Sequence, residues 1–166
     1  MAYRNKTYVC FDADSDIRYY NLMKAWKEND SMAFDFYNAH EINNLRDGSS
    51  EAQIKRKLRE RLQNTKVLVI LIGKSTKNLY KYVRWEIEYA IEKNIPIITV
   101  NLNKSKTQDN LCPPLLKKEL AIYIPFGPEI MDYALNNWPS NHTKYKANGD
   151  TRPYKYNKSV YDKLGV

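Results

Sequence analysis

Val67 to Ile72 is a continuous apolar run closed by Gly73. An unbroken run bounded by turn residues predicts a strand covered on both faces, the central strand of a parallel sheet. After the polar segment Lys74 to Asn78, apolar residues recur at helical spacing: Leu79, Val83, Ile87, Ala90 and Ile91. That spacing predicts a helix over 79–92 with Tyr82, Glu86 and Tyr89 on the flank of its buried face. Similar units flank this one. Thr7 to Phe11 reads as a strand, then an acidic loop Asp12 to Asp16 that offers helix caps, then a helix from Ile17 to Asn29 with Tyr20, Leu22, Met23 and Trp26 inward. Phe34 to Asn38 reads as a strand and His40 to Ser50 as a polar loop turning at Asp47-Gly48. Glu51 to Leu62 is amphipathic, with Ile54, Leu58 and Leu62 inside. Asn94 stops the 79–92 helix, and Pro96 to Leu102 is the next strand. Asn103 to Asn110 is a loop, Leu115 to Leu120 a short helix, Ala121 to Pro125 a strand, and Glu129 to Trp138 the last helix.

Strand and helix therefore alternate about five times. This predicts an α/β, flavodoxin-like domain over 1–138: a central five-stranded parallel sheet with helices on both faces. Pro139 to Val166 is rich in Lys, Tyr and Asn and has no clear period, which predicts a tail, packed or partly disordered.

Composition changes this picture little. The chain has 166 residues, 43% of them hydrophobic, enough for one real core. A net charge of +8 favours anionic partners, or simply maintains solubility. Cys10 and Cys112 read as free thiols, which suits a reducing, cytoplasmic setting. The longest apolar run is far too short for a membrane span. His40 and His142 lack ligands at metal spacing, so no metal site is expected. Cations interleave with aromatics in the tail, as in single-strand binders, but such tails more often pack, and nucleic acid is not the expected partner.

In open parallel sheets, ligands bind outside the carboxyl ends of the strands. A dinucleotide-binding turn needs G-x-G-x-x-G after the first strand, and Asp12 to Asp16 contains no glycine. No P-loop motif is present either. A phosphoryl-accepting receiver would use Asp12 and Asp14 for Mg²⁺, but the acceptor position after the third strand is Ile72-Gly73. As residues alone, Glu86, Glu88 and Glu92 read equally as solvated helix glutamates.

The segments Phe11 to Asp16, Arg46-Asp47-Gly48, Leu71 to Ser75 and Tyr82 to Ile87 together resemble the boxes of TIR domains. The combination is most similar to the prokaryotic TIR-like branch of the Thoeris ThsB type, over about residues 5–135. This resemblance implies cleavage of NAD⁺ at the nicotinamide–ribose bond, with NAD⁺ a substrate and no resident cofactor. It implies Glu86 as the catalytic carboxylate. Around it, Phe11, Asp12, Asp14, Arg46, Ser75, Tyr82 and Trp85 would contact substrate, with Ser75 alternatively a cap and Asp12 and Asp14 alternatively helix caps. The usual S-x-W-C-x-x-E helix pattern is altered: Tyr80, Tyr82 and Val83 stand at the Ser, Trp and Cys positions, while Glu86 keeps the carboxylate. The resemblance further implies homo-oligomers through TIR–TIR contacts at loop 43–50. With no fused effector in view, it implies a cyclic, ADP-ribose-derived signalling nucleotide read by a separate effector protein of anti-phage defence, and no membrane partner. The alternative is a non-enzymatic adaptor in which Glu86 is structural.

Overall fold

The computed structural model describes residues 7–28, 36–37, 50–78 and 82–166, with backbone alone for 36–37. The apolar run forms strand β3 (Val67–Ile72), buried at every position. It pairs in parallel with β1 (Thr7–Cys10) on one side and β4 (Ile97–Asn101) on the other. With β2 (Phe36–Tyr37) beside β1 and β5 (Ala121–Pro125) beside β4, the first five strands run in the order β2-β1-β3-β4-β5. That is the doubly wound flavodoxin-like order.

Strand alternation divides the covering helices between the two faces. Tyr8 turns toward helix α3 (Tyr82–Glu92), where its hydroxyl meets Glu86. Phe11, three residues on, turns the other way and stacks on Tyr20 of helix α1 (Ala13–Glu28), ring centroids 4.9 Å apart. Helix α2 (Glu51–Gln63) lies beside α3 and buries Ile54, Leu58 and Leu62, as its pattern requires. Its start is a capping box: the Ser50 hydroxyl accepts from the Gln53 amide, and the Gln53 side chain accepts from the Ser50 amide. Helix α3 ends at Glu92, and in the turn just after it Asn94 holds a left-handed φ of 55° that asparagine tolerates better than most residues.

Several expectations shift. Helix α1 begins at Ala13, not Ile17, because the Asp12 carboxylate caps it by accepting from the Asp14 amide at 3.1 Å. Asp14 and Asp16 therefore lie in its first turn, where acids suit the helix dipole, rather than in a loop. Leu22, expected inside, is 46% exposed. The 115–120 helix reduces to a single 3₁₀ turn at Pro114–Leu116. Loop residues 40–49, Arg46 among them, and the expected first turn of the 79–92 helix at 79–81 lie outside the described residues.

The largest difference is at the C-terminal end. The last helix, α4 (Pro128–Ala147), runs through Pro139 instead of stopping before it. An interior proline costs roughly 3 kcal/mol in a helix. Packing on both sides offsets it here: Trp138 and His142 are buried, and Tyr145 stacks flat on Tyr154, centroids 4.4 Å apart. Tyr154 belongs to β6 (Pro153–Lys155), a sixth parallel strand beside β5. Helix α5 (Lys158–Leu164) follows and buries Tyr161. The segment expected to be a tail thus extends the sheet.

Candidate active site

Glu86 sits on the sheet-facing side of α3 and is only 5% exposed. The hydroxyl of Tyr8 donates to its Oε1 at 2.9 Å. Its sequence neighbours behave differently. Glu88 and Glu92 are both exposed, and Glu88 accepts from Arg84 one turn away at 2.8 Å. Helical geometry accounts for the contrast. Glu86 follows Val83 by three positions and precedes Ala90 by four, so it shares their buried face. Burying a carboxylate is costly unless it is hydrogen-bonded, and Tyr8 provides such a bond from the middle of the sheet.

A second polar group lies at the carboxyl ends of β1 and β3. Asp12 is buried, and its Oδ2 accepts from the Ser75 hydroxyl at 2.8 Å. Ser75 thus ties the β3 loop to the start of α1. The capping of that loop falls to Thr76, whose hydroxyl accepts from the Gly73 amide at 2.9 Å. Asp16, one helical turn beyond Asp12, is 7% exposed, and its Oδ2 has no hydrogen-bond donor among the described residues. Burial raises its pKa first, and the charge of Asp12 adds to this, while Arg18 opposes it. Gly73 is what lets Asp16 fit. A Cβ at that position would stand 2.4 Å from Asp16 Oδ2.

The expected site residues therefore fall into two groups. Asp12 and Ser75 come together on the rim, with Asp14 exposed beside them. Glu86 pairs with Tyr8 beneath the opposite face. Phe11 is buried in its stack on Tyr20 rather than lining an opening. Tyr82 and Trp85 are half-buried and meet edge to face at 5.4 Å. Trp85 lines the groove between α2 and α3, under the ammonium of Lys55 at 4.5 Å. That contact is a cation–π interaction on the helix surface.

Residues 8–107 match the family model of the Thoeris protein ThsB, TIR-like domain. The chain belongs to that family. The match takes in β1 through β4, and so both Glu86 with its tyrosine and the Asp12–Ser75 bridge. Among the described residues of this TIR-like domain, no helix is long and apolar enough to cross a membrane.

Two functional candidates escape a reading of the residues alone: Tyr8 and Asp16. Tyr8 had a signal. A phenol inside a fully buried strand needs a hydrogen-bond partner, and the next residue along its own face of the strand, Cys10, is apolar. Asp16 had none, because its burial depends on Gly73 approaching from a distant strand.

Proposed function

We propose that this TIR-like domain of anti-phage defence cleaves NAD⁺ at the nicotinamide–ribose bond, with Glu86 facing the reacting ribose. The observation that carries this reading is the buried, tyrosine-bonded carboxylate of Glu86 on a helix whose other two glutamates, Glu88 and Glu92, are exposed. Breaking the C1′–N bond sends the electron pair to the pyridine nitrogen, so nicotinamide leaves neutral. The ribose is left with oxocarbenium character. A fixed carboxylate stabilises that charge far better in a dry site than in water. Water then captures C1′ and releases a proton, or a nucleophile of the same ADP-ribose closes a ring. The Tyr8 bond holds the carboxylate in one orientation through this change of charge. The product acts as a diffusible, ADP-ribose-derived signal for a separate effector, and copies of the domain associate through loop 43–50 to complete the site.

The test incubates the purified chain with NAD⁺ at high protein concentration and measures free nicotinamide. Protein-free filtrates are then applied to a candidate effector. Nicotinamide release that grows faster than linearly with protein concentration, with filtrates that activate the effector, supports the reading. Release without filtrate activity removes the signalling step.

A second reading is an adaptor that works through TIR–TIR contacts without catalysis. It is favoured by the engagement of Phe11 with Tyr20 and of Trp85 with Lys55, which draws two expected substrate contacts away. Absence of nicotinamide at every protein concentration would select it.

A further inference from the structure

The carboxyl ends of β1, β3 and β4 meet around a crevice of about 430 Å³ on the α1 side of the sheet. Asp16 and Arg18 reach it from α1, Gly73 and Lys74 from the end of β3, and Asn103 from beyond β4. Here the winding of the sheet reverses, since β1 is followed outward by β2 and then by a return to β3. Such reversal points are where open parallel sheets take ligands, and the volume is that of a small-molecule site.

Its chemistry is mixed in a specific way. Lys74 is exposed and makes no ion pair among the described residues. Arg18 is also exposed, its guanidinium 4.8 Å from the neighbouring Tyr19 ring. These two cations outnumber the one carboxylate of the crevice lining, so the rim favours an anion. Asp16, more than nine-tenths buried, keeps an oxygen without a donor. That oxygen calls for a ligand hydroxyl. A phosphate beside hydroxyls meets both demands.

We propose that this crevice binds a ribose phosphate, its phosphate held by Lys74 and Arg18 and its hydroxyls by Asp16. The site lies across the sheet from Glu86 and does not depend on what Glu86 does. Asp16 turns slightly from Gly73 to engage the ligand, relieving the unpartnered oxygen.

Calorimetry on the full chain with ribose 5-phosphate tests this, with ribose and inorganic phosphate as the separate halves. Wild type binds ribose 5-phosphate more tightly than either half. Asp16→Asn weakens it about tenfold, because a charged acceptor of hydroxyl bonds is lost. Lys74→Glu, at an exposed position that leaves folding alone, weakens it at least as much. Glu86→Gln binds as wild type. The proposal is overturned if wild type fails to bind at millimolar concentration, or if Asp16→Asn and Lys74→Glu both bind normally. Equal affinity for inorganic phosphate alone overturns the sugar contact. Loss in Glu86→Gln places the ligand on the other face and overturns the site. Nicotinamide release is read separately, so either idea can fail without the other.

Discussion

Glu86 and Asp16 are both buried carboxylates, set on opposite faces of the same sheet, and their surroundings treat them differently. Glu86 has a phenol aimed at it from the middle of β1. Asp16 lies against a bare backbone carbon at Gly73, with one oxygen unpartnered. A buried charge with a donor is a fixed element of the structure. One without a donor shifts toward its neutral form, or waits for a ligand. The comparison separates a carboxylate held in place by a donor from one left without a donor.

The sharpest break of this contrast is at Glu86. Glu86→Gln keeps the size and removes the charge proposed to face the ribose, so on that reading turnover of NAD⁺ falls by more than about a hundredfold while folding persists. Glu88→Gln, at an exposed surface pair, stays near wild type. Nicotinamide release measures both, and equal rates for wild type and Glu86→Gln end the enzymatic reading. Tyr8→Phe removes the Tyr8 hydrogen bond to Glu86 at little change in volume. It lowers stability by about 1.5–3 kcal/mol, read from denaturant midpoints, and slows turnover less than Glu86→Gln does.

Gly73→Ala acts on the other carboxylate. Its Cβ lands on Asp16 Oδ2, and overpacking of this kind costs about 1–3 kcal/mol. Adding Asp16→Ser to Gly73→Ala recovers part of that loss. If the double variant is no better than the sum of the singles, the clash is not with Asp16.

The smallest effect is on pH dependence. Asp16 has a folded-state pKa above the ordinary 3.8, mainly from burial, with Asp12 adding and Arg18 opposing. The folded protein thus holds this proton more tightly than the unfolded chain. The stability contributed is present in full below 3.8 and is lost as pH rises through the raised value. Asp16→Asn removes that slope. Midpoints measured across the acid range therefore show wild type falling relative to the variant as pH rises, and parallel curves would mean that Asp16 is not perturbed.

The legible parts of this fold are those in which a segment carries its own periodicity. Val67 to Ile72 and Ala121 to Pro125 have the boundaries that their apolar runs imply, and Ile54, Leu58 and Leu62 face inward as helical spacing requires. β6 was not legible, because Pro153 and Lys155 are exposed and only Tyr154 packs. Its pairing is with the backbone of β5, which leaves no mark in side-chain pattern. Helix α4 was cut short at Pro139 because the local cost of proline is visible and the compensating stack of Tyr145 on Tyr154 is not. At the site, spacing alone put Glu86 on the flank of its helix, and the family resemblance singled it out. The resemblance also named Phe11 and Trp85 as substrate contacts, but neither signal could show their packing partners Tyr20 and Lys55, which come from other elements.

β1 has only four residues, yet with Phe11 directly after it the segment serves both faces: Tyr8 meets Glu86 on one, and Phe11 leads into Asp12 on the other. A strand alternates its side chains strictly, so losing or gaining one residue within it exchanges the faces. A single deletion there would turn the phenol away from Glu86 and move the cap of α1 at the same stroke. Length variation among relatives should therefore be excluded from 7–12 and admitted at 103–111, where the chain passes between β4 and β5 over the surface. A collection of homologous sequences in which that stretch of β1 varies in length would contradict this.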